Sequence, residues 1–194
     1  MEHDIPMRKP AATAALLAGL AFHVGVACAA DWKLEPAGSR LEFAATFEKT
    51  PAPGVFREFD VKLGLDPAKE DAGRLDVTIN IASADMASAD INKVIAGAEW
   101  FDFARFRQAE FHATEIRRVQ PNAFVARGTL MLKGVQQAVE VPFSWSESGS
   151  TATMEGKFVV KRSAFGIGTG EWTETDTIGA DVTVTFKVRL RKAA

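Results

Sequence analysis

Apolar and polar residues alternate along most of the chain after residue 30, and the last long run shows the pattern best. Between residues 180 and 190 every second residue is apolar, and the residues between them are threonine or charged. Because successive side chains of an extended strand point to opposite faces, such a segment buries one face and exposes the other. A chain of such strands must cover its apolar faces against each other, in a β-sandwich or in a closed barrel.

The same period of two recurs along the chain and predicts about eight strands. The predicted strands cover residues 39–47, 55–65, 74–81, 109–119, 122–132, 137–145, 151–161 and 180–190. Short turns separate most of them, including Lys133-Gly134 and Ser148-Gly149-Ser150. Hairpin spacing of this kind is typical of an antiparallel sandwich or an up-and-down barrel.

Three places depart from the regular alternation. Residues 48–54 hold two prolines and are predicted to form a loop. In the strand that follows, the apolar phase changes, so we expect a bulge or bend near Arg57 and Glu58. Pro142 lies on the polar face of its strand and indicates a sheet edge or a local break in the hydrogen-bond ladder.

One segment has helical rather than strand periodicity. Ile91, Val94, Ile95 and Ala98 follow the i, i+3, i+4, i+7 spacing of a single helical face. Ser88 precedes them and is suited to cap the helix, since its hydroxyl can accept a bond from a free backbone N–H. The sequence therefore predicts one short amphipathic helix of about two turns.

The first thirty residues have the pattern of a secretory signal peptide. Arg8 and Lys9 precede an uncharged stretch, and small residues lead into the charged Asp31. We therefore expect residues 1–30 to be removed, translation to start at Met1 or Met7, and residues 31–194 to form one exported domain. A lipoprotein signal acylated at Cys28 is the alternative.

Composition excludes several functional classes for this domain. The net charge is −2, and basic residues form no cluster of the kind that binds nucleic acid. After processing the chain has no cysteine and a single histidine, His112, so we expect no disulfide, no thiol nucleophile and no Cys/His metal site. No serine lies in a nucleophile-elbow motif, and His112 has no catalytic partner that the sequence identifies.

Short motifs follow one another in a characteristic order along nearly the whole mature chain. They are Glu35-Pro36, Ser39-Arg40-Leu41-Glu42-Phe43, Gly54-Val55-Phe56-Arg57-Glu58-Phe59, Asp90-Ile91-Asn92, Glu99-Trp100-Phe101-Asp102, Ala109-Glu110-Phe111, Gly128-Thr129-Leu130, Leu132-Lys133-Gly134-Val135 and Lys161-Arg162-Ser163-Ala164-Phe165-Gly166-Ile167-Gly168. In their order and spacing they resemble the YceI-like family of exported bacterial polyisoprenoid-binding proteins. The closing stretch, from Gly170-Glu171-Trp172 to Ile178-Gly179-Ala180-Asp181-Val182, resembles the branch linked to b-type cytochromes.

The resemblance implies an all-β fold, an eight-stranded antiparallel lipocalin-like barrel with one short helix. It also implies a periplasmic carrier that holds an isoprenoid lipid, a quinone tail or a polyprenyl compound, in an apolar cavity and needs no other cofactor. An accessory protein of a b-type cytochrome in the inner membrane is one alternative, and a small hydrolase is another. A homodimer is compatible with either binding role.

Apolar inward-facing residues are the predicted cavity lining, although the same pattern also describes a solid core. Small inward residues, Ala45, Ala126, Gly128, Ala152 and Gly156, are expected to leave room for a guest. Arg57 and Arg162 are predicted to contact a headgroup at the mouth, with surface ion pairing as the alternative. The predicted lining residues are Phe43, Phe47, Phe59, Val61, Ile79, Ile95, Phe101, Phe111, Leu130, Phe143, Phe158, Phe165 and Phe186.

Overall fold

The computed structural model describes residues 30–66 and 73–193. The predicted signal peptide therefore lies outside the described residues except for Ala30, as do Met7 and Cys28. The described chain forms β1 (Ala30–Phe47), β2 (Thr50–Phe56), β3 (Phe59–Leu65), β4 (Arg74–Asn80), β5 (Ala84–Asp85), α1 (Ala89–Ile95), β6 (Gln108–Gln120), β7 (Ala123–Leu132), β8 (Val135–Ser148), β9 (Thr151–Lys161) and β10 (Asp181–Lys192). Short 3₁₀ turns cover Ile81–Ser83, Arg162–Phe165 and Gly170–Trp172.

Eight of these strands close into an antiparallel barrel. The order around the ring is β1, β3, β4, β6, β7, β8, β9 and β10, and β10 pairs with β1 to complete it. The two remaining strands, β2 and β5, extend the sheet beside the C-terminal half of β1. The eight-stranded antiparallel barrel with one helix is therefore confirmed.

The predicted loop at residues 48–54 is wrong, because most of it forms strand β2. Only Glu48 and Lys49 make the turn, with positive φ values of 47° and 67° that suit a two-residue hairpin. Pro51 and Pro53 fit in β2 because it pairs with β5 only at Val55 and Phe56, which leaves its proline segment as a sheet edge. The expected irregularity near Arg57 is a complete break, which separates β2 from β3.

One end of the barrel is filled by large side chains. The indoles of Trp32 and Trp145 meet edge to face, with ring centroids 5.1 Å apart. Phe124 and Phe143 stack beside each other at 5.5 Å. The inward glycine at position 156 leaves no void, because a Cβ there would lie 2.6 Å from the ring of Phe186. The other residues of this filled end are Leu63, Leu65, Leu75, Ala113, Ile116, Ala126, Val141, Ala152, Met154, Val188 and Leu190.

The opposite end of the barrel is hollow and has an incomplete wall. There β8 and β9 diverge, since their pairing runs only from Phe143 opposite Gly156 to Ser148 opposite Thr151. Residues 135–142 of β8 pair with β7 alone, which confirms the ladder break expected at Pro142. The 3₁₀ turn Arg162–Phe165 lies beside this gap, where the Gln137 side-chain amide donates to Ala164 O at 3.2 Å.

Two connections cover the hollow end. The first contains α1, which begins after Ser88, whose hydroxyl accepts a bond from the backbone N–H of Ile91 as expected for its cap. The second runs from Arg162 to Ala180 between β9 and β10. No helix within the two described ranges is long and apolar enough to cross a membrane.

Candidate functional site

A cavity of about 540 Å³ occupies the hollow end of the barrel and opens to the outside. Its wall is almost wholly apolar, with Leu41 and Phe43 from β1, Leu130 and Leu132 from β7, and further residues from β2, β4, β6, β9 and β10. The polar or charged lining residues are few, namely Thr46, Thr50, Asp90 and Arg162. A molecule held inside is therefore surrounded by hydrocarbon and aromatic rings.

Eight of the thirteen predicted lining residues line this cavity. They are Phe43, Phe47, Ile79, Ile95, Phe101, Leu130, Phe158 and Phe165.

The other five predicted lining residues lie away from the cavity. They are Phe59, Val61, Phe111, Phe143 and Phe186. Each has the inward phase that the sequence indicates, but strand period reports the face of a residue and not its height along the barrel. On β6, Ala109 lines the cavity whereas Phe111, two residues further, packs in the core. Of the five small residues expected to leave room, only Ala45 lines the cavity.

Several lining residues come from the covering connections and were missed as site residues. Trp100 follows α1 and packs against Trp172 of the second connection, with ring centroids 5.7 Å apart. Ile91 and Val94 belong to the predicted helical face, yet both remain more than two-fifths exposed beside the cavity opening. The helical period identified these two residues, but it did not indicate that their face borders an opening.

Arg162 holds the second connection together from inside. Its side chain is 3% exposed. Nε donates to Gly179 O at 3.1 Å, Nη1 donates to Ile167 O at 3.1 Å and Gly168 O at 2.8 Å, and Nη2 donates to Trp172, Glu174 and Ile178 carbonyls at 2.7, 3.3 and 3.0 Å. Burial lowers the pKa of this guanidinium.

The prediction that Arg162 contacts a headgroup is therefore corrected. Its guanidinium is saturated by backbone carbonyls, and its alternative assignment as a surface ion pair does not hold either. A bidentate fork with several donors fits such a set of carbonyls better than a lysine would. Arg162 instead shapes the loop whose Ile167, Trp172 and Ile178 form part of the cavity wall.

Lys133 joins the two covering connections. Its Nζ donates to Ala98 O at 2.8 Å and to Gly166 O at 2.6 Å. Burial lowers the pKa of the Lys133 ammonium. Gly168 and Thr169 add to this link, because their backbone N–H groups donate to Glu99 O at 2.7 and 3.0 Å. The two connections therefore cover the hollow end as one bonded unit.

Asp85 fixes the start of α1 and precedes Met86, which lines the cavity. The Asn92 amide donates to Asp85 Oδ1 at 2.9 Å, and the backbone N–H of Ala87 donates to the same oxygen at 2.8 Å. Arg57 Nε donates to Asp85 Oδ2 at 2.9 Å. The bonds from Asn92, Arg57 and Ala87 lower the pKa of Asp85 to about 2. Arg57 thus makes the surface ion pair that was its alternative assignment, and it does not line the main cavity.

His112 lies on the outer face of the barrel, away from the cavity. Its Nδ1 is 2.9 Å from Asp76 Oδ1, and its Nε2 is 3.4 Å from Glu110 Oε2. The bond to Asp76, followed by the one to Glu110, raises the pKa of His112. Among the described residues, no group of histidine and carboxylate side chains is arranged to hold a metal ion.

Sequence comparison matches most of this chain to a known family. Residues 32–190 match the profile of the YceI-like domain. A UPF0312 protein of Ectopseudomonas mendocina is 28% identical over 171 residues, which cover 80% of this chain and 86% of the relative. Protein YceI of Salmonella newport is 30% identical over 126 residues, which cover 63% of this chain and 65% of that protein.

Comparison with solved structures gives the same fold. The crystal structure of BcnA from Burkholderia cenocepacia superposes with a TM-score of 0.78 at 33% identity, over 80% of this chain and 98% of BcnA. A polyisoprenoid-binding domain from Saccharophagus degradans, implicated in plant cell wall breakdown, superposes with a TM-score of 0.67 at 14% identity, over 86% of this chain and 99% of that domain. The second likeness shows a shared fold alone.

Proposed function

The chain belongs to the YceI-like domain family, and from that premise we propose that it is a periplasmic carrier which holds the tail of an isoprenoid lipid, a quinone or a polyprenyl compound, in its barrel. The observation that carries this proposal is the apolar cavity of about 540 Å³ at the hollow end, open to the outside. The polyisoprenoid-binding domain of Saccharophagus degradans, which shares the fold, supports the choice of ligand class.

The ligand enters tail first, and its headgroup stays at the opening. Among the described lining residues, Arg162 is the only charged side chain that is buried, and its guanidinium is already bonded to six carbonyls. Thr46, Thr50 and Asp90 lie at exposed positions of the lining. A hydroxyl or carbonyl headgroup is therefore left beside these polar side chains and water, where desolvation costs least.

The cavity volume sets the length of tail that is fully enclosed. About 540 Å³ corresponds to roughly 18 groups if each CH₂ or CH₃ is taken to fill about the 30 Å³ that a water molecule occupies in the liquid. With five carbons in each unit, this is between three and four isoprene units. Each enclosed CH₂ group contributes about 0.8 kcal/mol before the entropic cost of binding is subtracted. Isoprene units beyond the fourth project through the opening and add little to the binding free energy.

A series of quinones that share one headgroup and differ in tail length tests this proposal. Affinity is measured through the fluorescence of Trp100 and Trp172, which line the cavity. We expect it to rise from one to about four isoprene units and then to level off. Native mass spectrometry of protein from its own host, after organic extraction, identifies the bound compound. Protein that is reproducibly empty and takes up no quinone in excess would refute the carrier role.

The cytochrome-linked role, the homodimer and the small hydrolase are the alternatives from the sequence. Co-purification of a b-type cytochrome from membranes tests the first, and sedimentation velocity tests the second. His112 contacts Asp76 and Glu110 on the outer face and has no access to the cavity. This geometry favours binding over catalysis, and turnover abolished by His112→Ala would contradict it.

A further inference from the structure

Three large apolar side chains border the cavity opening and remain exposed. Phe47 at the end of β1 is 47% exposed, and Ile91 and Val94 on α1 are 44% and 43% exposed. All three also line the cavity, so apolar side chains connect its wall to the outer surface. We call Phe47, Ile91 and Val94 the apolar rim.

We propose that the apolar rim docks the opening onto an electrically neutral lipid surface. This inference rests on the proposed function, because a carrier for a lipid tail must take up its ligand from a bilayer. Because the rim joins the cavity wall, the tail can pass from the bilayer into the cavity along apolar side chains. The tail is then never transferred through water, and the cost of exposing it is avoided.

The size of the rim favours a lipid surface over a second copy of the chain. Three side chains, each about half exposed, offer on the order of 250 Å² of apolar area. A stable protein interface buries about 800 Å² on each partner. Insertion into a bilayer needs no complementary surface, so a small apolar patch suffices for brief docking.

The charges around the rim determine which lipid surface is suitable. Charged residues near the rim come from the end of β1 and the turn after it, from α1, and from the second connection. The exposed lysines among them are Lys49 and Lys93. The same segments also hold five exposed carboxylates, Glu48, Asp90, Glu171, Glu174 and Asp176. An excess of negative charge within about a Debye length is repelled by anionic headgroups. Zwitterionic headgroups carry no such penalty.

Vesicle binding tests the proposal, with a matched control from the same chain. The test variant is Phe47→Ser with Ile91→Ser and Val94→Ser. The control is Val119→Ser with Val159→Ser, because these valines are 49% and 57% exposed but do not line the cavity. Thermal unfolding checks that both variants fold. A C-terminal tag serves for detection, since β10 ends at the filled end of the barrel.

We expect the ligand-free protein to co-sediment with phosphatidylcholine vesicles and the rim variant to bind at least tenfold more weakly, because the apolar area that enters the bilayer is lost. The control should bind as the wild type does. Added phosphatidylglycerol should weaken binding at low salt. Equal loss in the control, or no binding by the wild type, would overturn the proposal, as would rim-dependent dimers in sedimentation velocity.

Uptake of quinone by the wild type from detergent solution, without vesicles, separates this proposal from the carrier role. Uptake without vesicle binding would overturn the docking surface and leave the carrier role intact. Vesicle binding without uptake would contradict the carrier role.

Discussion

Replacement of Arg162 by methionine should destabilise the protein and reduce the order of the loop over the cavity. Methionine fills a comparable apolar volume but donates no hydrogen bond, so six carbonyl groups lose their donor. Two of these bonds, to Ile167 O and Gly168 O, are fully buried, and water cannot replace the guanidinium there. The other four carbonyls are partly exposed and can turn to solvent.

The two buried bonds set the expected magnitude. A hydrogen bond to a charged group contributes about 1.5–3 kcal/mol to stability, so their loss should lower the free energy of unfolding by about 4 kcal/mol. For a domain of this size, about 1 kcal/mol corresponds to roughly 2–4 °C in melting temperature. We therefore expect a decrease of roughly 10 °C. Hydrogen exchange should also become faster at Gly168 and Thr169, whose N–H groups bond to Glu99 O.

The assay pairs denaturant unfolding with quinone titration for wild type, Arg162→Met and Arg162→Lys. Lysine keeps the charge but has one nitrogen, which cannot reach carbonyls on all sides, so it should also destabilise. If Arg162 instead contacted the headgroup of the ligand, the pattern would be reversed. Quinone affinity would be lost in Arg162→Met and largely kept in Arg162→Lys, and the stability of both variants would equal that of the wild type. A melting temperature within about 2 °C of wild type for Arg162→Met would refute the structural role.

Three further predictions concern the cavity, its cover and the outer face. Ala45→Phe should fill part of the cavity and weaken quinone binding at least tenfold. Val159→Phe, on the exposed face, should leave quinone binding unchanged. Equal effects of the two substitutions in quinone titrations would contradict the assignment of the cavity as the binding site. Lys133→Met removes two hydrogen bonds that join the covering connections. Denaturant unfolding should show a loss of stability of about 1–3 kcal/mol, and stopped-flow measurements should show faster release of quinone. The bond to Asp76 raises the pKa of His112 in the folded state, so protonated His112 stabilises the fold. This stabilisation is complete below about pH 6.5, the usual pKa of histidine. It is lost as the pH rises through the raised pKa of the folded state. In the wild type, the melting temperature should fall as the pH rises from about 6 to about 8.5, and His112→Gln should make this fall smaller. An unchanged fall in the variant would show that another group is responsible.

Sequence periodicity was sufficient for the strands, because it reports which face of a strand is buried, but it left a β-sandwich and a barrel as alternatives. The resemblance to the YceI-like family implied the barrel. The strand predicted at residues 151–161 coincides with β9, and the Lys133-Gly134 turn has the two positive φ values, 51° and 75°, that such a hairpin requires. The loop predicted at residues 48–54 is wrong because proline interrupts a strand only where its missing N–H would face a partner strand. On a sheet edge, the absent N–H faces no partner strand and costs little.

The site was less accessible from the sequence for two physical reasons. Whether an inward-facing residue lines the cavity or packs in the core depends on its position along the barrel axis. That position is set by how its strand is aligned with strands that are distant in the sequence, and strand periodicity does not report this alignment. The role of Arg162 depends on carbonyl groups that converge from residues 167–179, which no local motif encodes. Asn92 was part of a recognised motif, but its bond to Asp85 emerges only from the turn between β5 and α1.

The division of the barrel into a filled and a hollow end has an evolutionary consequence. The residues that contribute most apolar burial are largely not the residues that meet the guest, so substitutions of apolar lining residues draw less on the stability margin of the domain than substitutions in the filled end or at Arg162. Such an arrangement gives the hollow end wide latitude to change its guest while the filled end keeps the architecture. Homologous barrels can then diverge in specificity long before they diverge in shape.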